Sequence, residues 1–374
     1  MAGSAPGHLT GHATHDSPGT ARACASRAGR PGRLPGVTTF HRPRVLPGLP
    51  VLRRRADAIQ IGLDPRHSVL IEDVPPETAV ALFALTGRHT LADLLRQLAG
   101  PDHQDEDFAR LVHALADLGL VEEARPEPHG RLVTEATEWA LRTGRPAPGL
   151  AAARAARSVV VHGDGRIAVA VAGHLASAGV GHVRVVTRGR VNSEDTGSGY
   201  LDTDVGRPRP DAAEDVVRRA SPDVRTEVRV RAPDLVVLAD AEVPPPELLR
   251  ALLLDGTPHL AVRAAEGLGV VGPLVVPGRS SCLRCYDLHR ADLDRGWSAL
   301  AVQLVDRPRH ADLPTVASTA GLAAGQALLA LDHGSAARTR PPAWDAVLEV
   351  NAYAGLVEHR LAPVHPRCEC RSLS

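Results

Sequence analysis

Apolar and polar residues alternate in two short stretches near the start of the chain, and apolar residues then recur at helical spacing. The alternating stretches, Ala58–Gly62 and Ser68–Glu72, predict two strands joined by a turn at residues 63–67. Pro75-Pro76 predicts the start of a first helix that ends at Gly87, since proline favours the first helical turn. The pattern therefore opens with a strand pair that leads into a helical region.

Two further helices and a strand follow in this pattern. Thr90-Leu-Ala-Asp93 is a capping box that predicts the start of the second helix, which ends at Gly100-Pro101. The third begins at Asp105 or Asp107 and ends at Gly119, and residues 120–122 return as a strand. Its expected apolar face is Phe108, Leu111, Val112, Leu115 and Leu118. The order strand–strand–helix–helix–helix–strand is that of a winged-helix fold, and it predicts a small α+β domain over residues 45–125.

The segments on either side of this small domain have a different composition. Residues 1–44 are mostly Gly, Pro, Ala, Ser, Thr and Arg, with Asp16 as the single acid, and they lack the apolar core of a signal peptide. Disorder, an organellar transit peptide or a start codon assigned too early would each give this composition, and we expect a disordered tail. Residues 126–155 are rich in proline and contain one short helical stretch, Glu135–Arg142, which indicates a loosely packed linker.

A strand–turn–helix–strand pattern opens the large domain, residues 156–374. Ser158–His162 and His182–Val186 are the strands, and the turn between them reads G-x-G-x-x-A from Gly163 to Ala168. Such a turn lets a phosphate approach the N-terminus of the helix that follows. The acid that would hold a ribose after the second strand is missing, however, and Arg188 stands there instead. Asp164 also places a negative charge inside the loop, so the residues favour either weak nucleotide binding or a scaffold role.

The remaining pattern alternates strands and helices, as expected of a parallel α/β sheet. A strand ends at Asp240, a helix spans Pro246–Leu254, and a strand spans His259–Arg263. The helix Leu313–Leu331 has a small-residue face around Gly321 and Gly325, which either packs on the sheet or forms the seam of a homodimer. No run reaches the ~18 to 20 apolar residues of a membrane helix, so we expect a cytoplasmic protein without a membrane span.

Four of the five cysteines are arranged as two pairs, Cys282-x-x-Cys285 and Cys368-x-Cys370, while Cys24 lies in the predicted tail. Two such pairs supply the four thiolates of a tetrahedral zinc site that has no position left for water. This spacing predicts a structural zinc ion, and a redox pair or unpaired thiols are the alternative. His365 would be a ligand only if one cysteine were not used.

Charge and composition narrow the choice of function. The chain of 374 residues carries 43 basic and 43 acidic residues, and every basic residue is an arginine. The absence of lysine follows from a GC-rich genome and excludes Schiff-base chemistry and a lysine-containing P-loop. Residues 51–125 hold 8 arginines against 13 acids, a net charge of −5. An acidic module lacks the phosphate contacts that DNA binding requires, so we expect no nucleic-acid partner.

The order of these features in residues 156–370 resembles the ThiF/MoeB superfamily of ubiquitin-activating-type enzymes, which adenylate the C-terminus of a small protein with Mg-ATP. This resemblance implies an α/β fold, a Rossmann-like ThiF-type domain with a structural zinc site. It assigns Gly163, Gly165, Arg166 and Arg207 to a degenerate nucleotide site and Asp240 to a catalytic position near magnesium. The family's Arg-Gln pair, its phosphate-contacting lysine and its catalytic cysteine are absent, and Asp204-Val-Gly206-Arg207 replaces the lysine motif.

The small domain is similar to the RiPP recognition element, a winged-helix module that captures precursor leader peptides, in residues 59–66, 69–75 and 85–91. The two resemblances together imply a scaffold that binds a leader peptide and presents the precursor to a YcaO-type cyclodehydratase in azole or azoline biosynthesis, without adenylation of its own. An active adenylyltransferase that acts on a sulfur-carrier or precursor protein is the alternative. A winged-helix module used only for dimerisation, or one that reads DNA, also remains open.

Overall fold

The computed structural model describes residues 40–98, 104–124, 130–144, 147, 149–227, 232–307, 309–332 and 340–370. The chain forms two compact units. Of the described residues, the smaller unit comprises those up to Val45 together with those of Leu49–Leu115 and Val121–Glu123, and the larger comprises Leu46–Gly48, Ala116–Leu120 and those from Ala124 onward. Most of the predicted tail, residues 1–39, and the predicted end of the second helix at Gly100-Pro101 lie outside the described residues.

In the described part of the smaller unit there are three helices and two small antiparallel sheets. Its elements are β1 (Pro43–Val45), β2 (Val51–Arg55), β3 (Ala58–Ile61), β4 (Val69–Ile71), α1 (Pro76–Phe83), α2 (Leu91–Leu98), α3 (Gln104–Asp117) and β5 (Val121–Glu123). Strands β2, β3 and β4 form one sheet in that order, and β1 pairs with β5. The predicted order of elements is confirmed, and β1 and β2 are strands that the pattern did not reveal.

Local signals for the helices of this unit are also confirmed. The Thr90 hydroxyl accepts from the amide of Asp93 at 3.0 Å, and the Asp93 carboxylate accepts from the amide of Thr90 at 3.1 Å, so the capping box forms. Phe108, Val112 and Leu115 are buried on α3 as expected. The expectation for Leu118 is wrong, because that side chain follows the last turn of the helix and is exposed.

The segment expected to be a loose linker is instead a packed part of the larger unit. It contains α4 (Leu132–Thr143) and α5 (Leu150–Ala155), and Trp139 and Leu150 are buried. Arg154 on α5 is 3% exposed and forms a two-pronged ion pair with Asp332, with nitrogen–oxygen distances of 2.9 and 3.2 Å. A buried charge needs such a partner, which anchors α5 to the C-terminal end of a distant helix.

A seven-stranded sheet forms the framework of the larger unit. The strands are β6 (Ser158–His162), β7 (His182–Val186), β8 (Leu235–Ala239), β9 (His259–Ala265), β10 (Leu268–Val275), β11 (Ala346–Asn351) and β12 (Leu356–Leu361). Their order is β12-β11-β10-β9-β8-β6-β7, with β7, β6, β8 and β9 parallel and the other neighbours antiparallel. Its helices are α4, α5, α6 (Arg166–Ser177), α7 (Arg209–Ala220), α8 (Pro246–Leu254), α9 (Leu283–Leu293), α10 (Trp297–Leu304) and α11 (Leu313–Asp332).

Helix α11 is the one described helix long and apolar enough, by length and composition alone, to cross a membrane, so the expectation that no run reaches this length is wrong. Its residues Val316, Ala320, Ala323 and Ala327 are buried in the same core cluster as the sheet. The helix therefore packs on the sheet through these residues, and not through the predicted small-residue face around Gly321 and Gly325. Gly321 and Gly325 lie on its outer face, where an added Cβ would meet no atom within 4 Å.

Candidate functional site

The turn after β6 and the end of β8 meet at one buried carboxylate. Helix α6 begins just after Gly165, and no side chain of the turn itself caps it. Asp240, 2% exposed and directly after β8, accepts from the amides of Gly165 (2.9 Å), Ile167 (3.1 Å) and Ala168 (3.3 Å). An N-terminal helix amide without a partner is costly when buried. Asp240 therefore caps the N-terminus of α6, although it lies more than 70 residues away from that helix in the sequence.

Both glycines of the turn are required by this carboxylate. A Cβ added at Gly163 would lie 2.5 Å from one Asp240 oxygen, and a Cβ added at Gly165 would lie 2.7 Å from the other. Neither distance is tolerable for real atoms, so only glycine fits at either position. The structure therefore brings the predicted site residues Gly163, Gly165 and Asp240 together. The Asp240 carboxylate accepts hydrogen bonds from the amides that would otherwise face a phosphate.

The surroundings of Asp240 are unusual for an acid. Burial, together with the nearby charge of Asp164, raises the pKa of Asp240 to about 6, against the opposing influence of the three amides. Its backbone lies in the left-handed region, with φ of 70°. The residue is consequently held in a costly conformation and environment, as is common at functional positions.

An open cleft of about 270 Å³ lies at the carboxyl ends of β6, β7 and β8, where ligands bind in sheets of this kind. Its lining includes Asp164, Arg188, Glu247 and Asp306. Arg188, which replaces the ribose-binding acid, pairs with Asp306 at 2.5 Å, and its amide donates to Asp164 at 2.7 Å. The cleft thus presents three acids besides Asp240 and one arginine that is already paired, a poor environment for a polyphosphate.

Two other residues assigned to the nucleotide site point elsewhere. The Arg166 guanidinium donates to the carbonyls of Thr196 and Ala311, both at 3.1 Å. The Arg207 guanidinium pairs with Asp204 at 2.5 Å and with Asp215 at 2.7 Å. Neither side chain lines the cleft, so the structure does not bring these arginines together with Gly163, Gly165 and Asp240.

The four predicted metal ligands converge beside the start of α9. The sulfurs of Cys282, Cys285, Cys368 and Cys370 all lie within 4.8 Å of one another. Three of the separations are 3.6, 3.6 and 3.8 Å. A tetrahedron of zinc–sulfur bonds has edges of about 3.8 Å, because each bond is about 2.3 Å long. The cluster therefore has the donor atoms and the spacing of a closed four-sulfur site that can hold a metal ion such as zinc.

His365 is not available as a fifth candidate ligand. Its Nε2 contacts the Asp292 carboxylate at 2.8 Å, and its Nδ1 accepts from the amide of Arg367 at 3.1 Å. The ring also packs edge-on against His289, which is half-buried. These contacts hold the segment before Cys368 against α9 and leave the four cysteines as the ligand set.

Comparison with known proteins identifies the family. A family model described as the ThiF family matches residues 146–371, more than half of the chain. The chain belongs to the ThiF family. Among curated proteins, HesA of Nostoc sp. strain PCC 7120 is 27% identical over 158 residues, a match that covers 38% of this chain and 63% of HesA. The chain thus matches less than two thirds of the length of that ThiF-like relative.

Solved structures with the same fold extend over nearly the whole chain. E. coli MccB, solved with ATP, is 13% identical, with a TM-score of 0.65 over 88% of this chain and 99% of MccB. The Microcin C7 biosynthetic enzyme MccB in complex with N-formylated MccA gives a TM-score of 0.67 at the same identity and coverage. PaaA is 18% identical, with a TM-score of 0.62 over 84% of this chain and 98% of PaaA. At these identities the likeness establishes the ThiF-type fold.

A second cleft of this ThiF-family chain, about 700 Å³, was not foreseen from the sequence. It lies between α9 and strands β9 to β12. Arg263 and Arg290 both pair with Glu242, at 3.2 and 2.8 Å, and the Arg290 guanidinium stacks 3.3 Å from the centre of the Trp297 ring. Isolated arginines in a sequence reveal no such network, because Glu242, Arg263 and Arg290 lie more than 20 residues apart from one another in the chain.

Proposed function

We propose that this chain is a leader-peptide-binding scaffold that presents a ribosomal precursor peptide to a YcaO-type cyclodehydratase in the cytoplasm, without adenylating the peptide itself. The cyclodehydratase would then form azolines or azoles from Cys, Ser or Thr of the precursor. One observation carries the second half of this proposal: the Asp240 carboxylate occupies the amides at the N-terminus of α6.

The chemistry of the cleft supports a role without catalysis. A nucleotide phosphate at α6 would have to displace the Asp240 carboxylate or approach it closely, and like charges repel strongly where water is excluded. Arg188 is committed to Asp306 and Asp164, so it does not offset that repulsion. ATP and magnesium are therefore not part of our proposed mechanism, and zinc, held by the four cysteines, would serve only to fix the C-terminal segment.

Peptide capture is supported by the smaller unit. Strand β4 forms one edge of its three-stranded sheet, and Leu70 at the middle of that strand is 41% exposed. An extended peptide binds such an edge as an additional strand. The net charge of −5 over residues 51–125 favours a leader that carries basic residues. MccB, with the same fold, has been solved with MccA.

The test uses the full chain, a fluorescent synthetic leader and the YcaO-type protein. A short Cys/Ser/Thr-rich open reading frame next to this gene would supply the leader sequence. We expect saturable binding in fluorescence anisotropy, weakened on the order of tenfold by Leu70→Asp. Leu63→Asp, at a more exposed leucine (67%) in the turn before β4, should leave binding unchanged. Absence of leader binding, or equal loss in both variants, would contradict capture at this edge.

Adenylation provides the second readout. We expect no exchange of pyrophosphate into ATP with or without the precursor. The alternative, an active adenylyltransferase, is favoured by the position of Asp240 directly after β8, where the family places its magnesium-associated acid. Exchange that requires the precursor and disappears in Asp240→Asn would establish that alternative and overturn our proposal. Salt-dependent DNA binding in a gel shift would instead favour the DNA-reading alternative.

A further inference from the structure

The two edges of the three-stranded sheet in the smaller unit differ in charge. Strand β4 forms one edge and leads directly into two acids, Glu72 and Asp73. Strand β2 forms the other edge and carries three arginines in succession, Arg53–Arg55. These are three of the eight arginines in residues 51–125, a segment that is acidic as a whole. The run therefore gives the β2 edge a local positive charge.

The backbone of β2 is open on the side away from β3. Among the described residues, β3 is the only strand that pairs with it. The amide of Gly62 donates to the carbonyl of Pro50 at 2.9 Å, which places these two residues in a hydrogen-bonded pair. Hydrogen-bonded and non-hydrogen-bonded pairs alternate along an antiparallel ladder, and the register is regular as far as Arg53. Val51 and Arg53 therefore direct their N–H and C=O groups away from β3, toward the open edge.

Two of the three arginines have no carboxylate partner in the part of the chain that the structure describes. The Arg53 guanidinium lies over the ring of Phe83 on α1, 5.8 Å from its centre, and donates to a backbone carbonyl at 3.0 Å. The Arg54 guanidinium donates to the side-chain oxygen of Gln60 at 3.1 Å. Arg55, by contrast, pairs with two acids. Two positive charges on this edge are therefore left without an acid from the chain itself.

The helix beside this edge adds exposed apolar surface. Val80 and Phe83 lie one turn apart on α1 and are 61% and 40% exposed. The contact between Arg53 and Phe83 places this apolar pair alongside β2. Outward-facing backbone groups, unpaired guanidiniums and apolar side chains thus occur together, as a binding surface for an extended chain requires.

We propose that the β2 edge binds an extended acidic segment of a partner protein, which pairs with β2 as an additional strand. The backbone groups of Val51 and Arg53 would supply the hydrogen bonds, and carboxylates opposite the arginines would add cross-strand attraction. The same charges disfavour a second copy of β2, because two arginine runs would then lie opposite each other. A leader that carries basic residues is repelled here as well, so the two edges of the sheet select partners of opposite charge.

Nucleic acid fits this edge less well than a peptide does. Its phosphates would meet Arg53 and Arg54, but they would also approach the exposed acids Asp57 and Glu72 beside Arg55. A duplex also offers no extended chain of N–H and C=O groups at strand spacing to pair with β2. A peptide strand satisfies both the charge and the backbone of this edge.

A charge test uses the full chain and a fluorescent synthetic peptide of alternating valine and glutamate. We expect saturable binding in fluorescence anisotropy, weakened about tenfold in R53E/R54E because two attractions become repulsions. The matched control, R96E/R110E, makes the same change of charge at two exposed arginines on α2 and α3 and should leave binding unchanged. Equal loss in both double variants would mean that the peptide responds only to net charge, and would overturn the proposal.

A backbone test on the wild-type chain separates strand pairing from charge attraction, and it does not depend on the folding of any variant. Alternate residues of an added strand direct their N–H groups toward β2. N-methylation of one alternating set of the peptide should therefore abolish binding, whereas methylation of the other set should leave it intact. Equal binding by the two methylated peptides would contradict strand pairing.

The leucine variant of the opposite edge keeps this result distinct from leader capture. Leu70→Asp should leave binding of the acidic peptide unchanged, and R53E/R54E should leave binding of the leader unchanged. Absence of acidic-peptide binding at high micromolar concentration would overturn the proposal. A DNA duplex that binds through Arg53 and Arg54 while the peptide does not would also overturn it.

Discussion

The turn before α6 and the cysteine cluster beside α9 both have the residues of a ligand site, but they differ in what the protein itself supplies. At the turn, Asp240 satisfies the amides of Gly165, Ile167 and Ala168 from within the chain. At the cluster, four sulfurs lie within 4.8 Å of one another. The first arrangement is complete without a ligand, whereas four adjacent thiolates need a metal ion to balance their charge.

The difference teaches that a motif does not indicate binding unless its polar groups remain available. The G-x-G-x-x-A turn is formed in the expected context of strand and helix, and yet its amides are occupied. The cysteine pairs, by contrast, keep their donor atoms directed at a common centre. We therefore expect the two regions to respond in opposite ways to their supposed ligands: zinc to stabilise the protein strongly and ATP to have no effect.

Loss of the metal should have the largest effect. We expect about one zinc per chain by elemental analysis, and loss of that zinc in the double variant C282S/C370S. Because binding free energy at a structural zinc site contributes to folding, the melting temperature should fall on the order of 10 °C.

Cys24→Ser is the matched control, since the fifth cysteine lies far along the chain from the two pairs. It should change neither the zinc content nor the melting temperature. A wild-type protein that folds to the same stability without zinc, and regains nothing when zinc is added, would show that the two regions are alike in needing no ligand.

Removal of the internal acceptor at the turn should have the next largest effect. Asp240→Ala leaves three helix amides without an acceptor in a buried site, and we expect unfolding in urea to require about 2 to 3 kcal/mol less free energy. Asp240→Asn retains an acceptor oxygen and should cost less. Asp306→Ala removes an exposed acid of the same cleft and should cost less than about 1 kcal/mol. Equal costs for Ala at positions 240 and 306 would mean that Asp240 does not cap α6.

Local sequence patterns were sufficient to predict many of the strands and helices of the larger unit. Strands β6 and β7 and helix α8 have the predicted bounds, because a short apolar run between turn residues, or a helix opened by Pro246, is specified by neighbours in sequence. Strand β2 was missed because Leu52 to Arg55 are all exposed, so no alternation marks it. The helical stretch Glu135–Arg142 was predicted and lies within α4, but α5 was missed, and the segment was taken as loosely packed because nothing local indicates that Arg154 pairs with the distant Asp332.

The candidate site shows the same division. The spacing within each cysteine pair predicted that the two pairs would come together, because two pairs of thiolates complete one coordination sphere. Asp240 was expected to serve a nucleotide, and nothing in its local sequence indicated that it would reach Gly165 and Ile167 instead. Sequence showed that Arg188 stands where the family has a ribose-binding acid. Its pairing with Asp306, more than 100 residues later in the chain, arises only from the tertiary fold. Sequence therefore revealed which groups are present, and only the fold shows which are already used.

The pH dependence of stability should show the smallest effect of the three. The pKa of Asp240 in the folded protein, about 6, lies above its ordinary value of 3.8 because burial penalises the charged form. Between these values the unfolded chain has lost the proton and the folded chain retains it, so folding is favoured by lower pH. As pH falls from 7 to 5, wild type should gain about 1 kcal/mol relative to Asp240→Asn. Urea unfolding of both proteins at the two pH values measures the difference, in which the other titrating groups cancel. A difference that stays constant with pH would mean that Asp240 is an ordinary ionised carboxylate, and the turn would then be a stronger internal anion site than its burial implies.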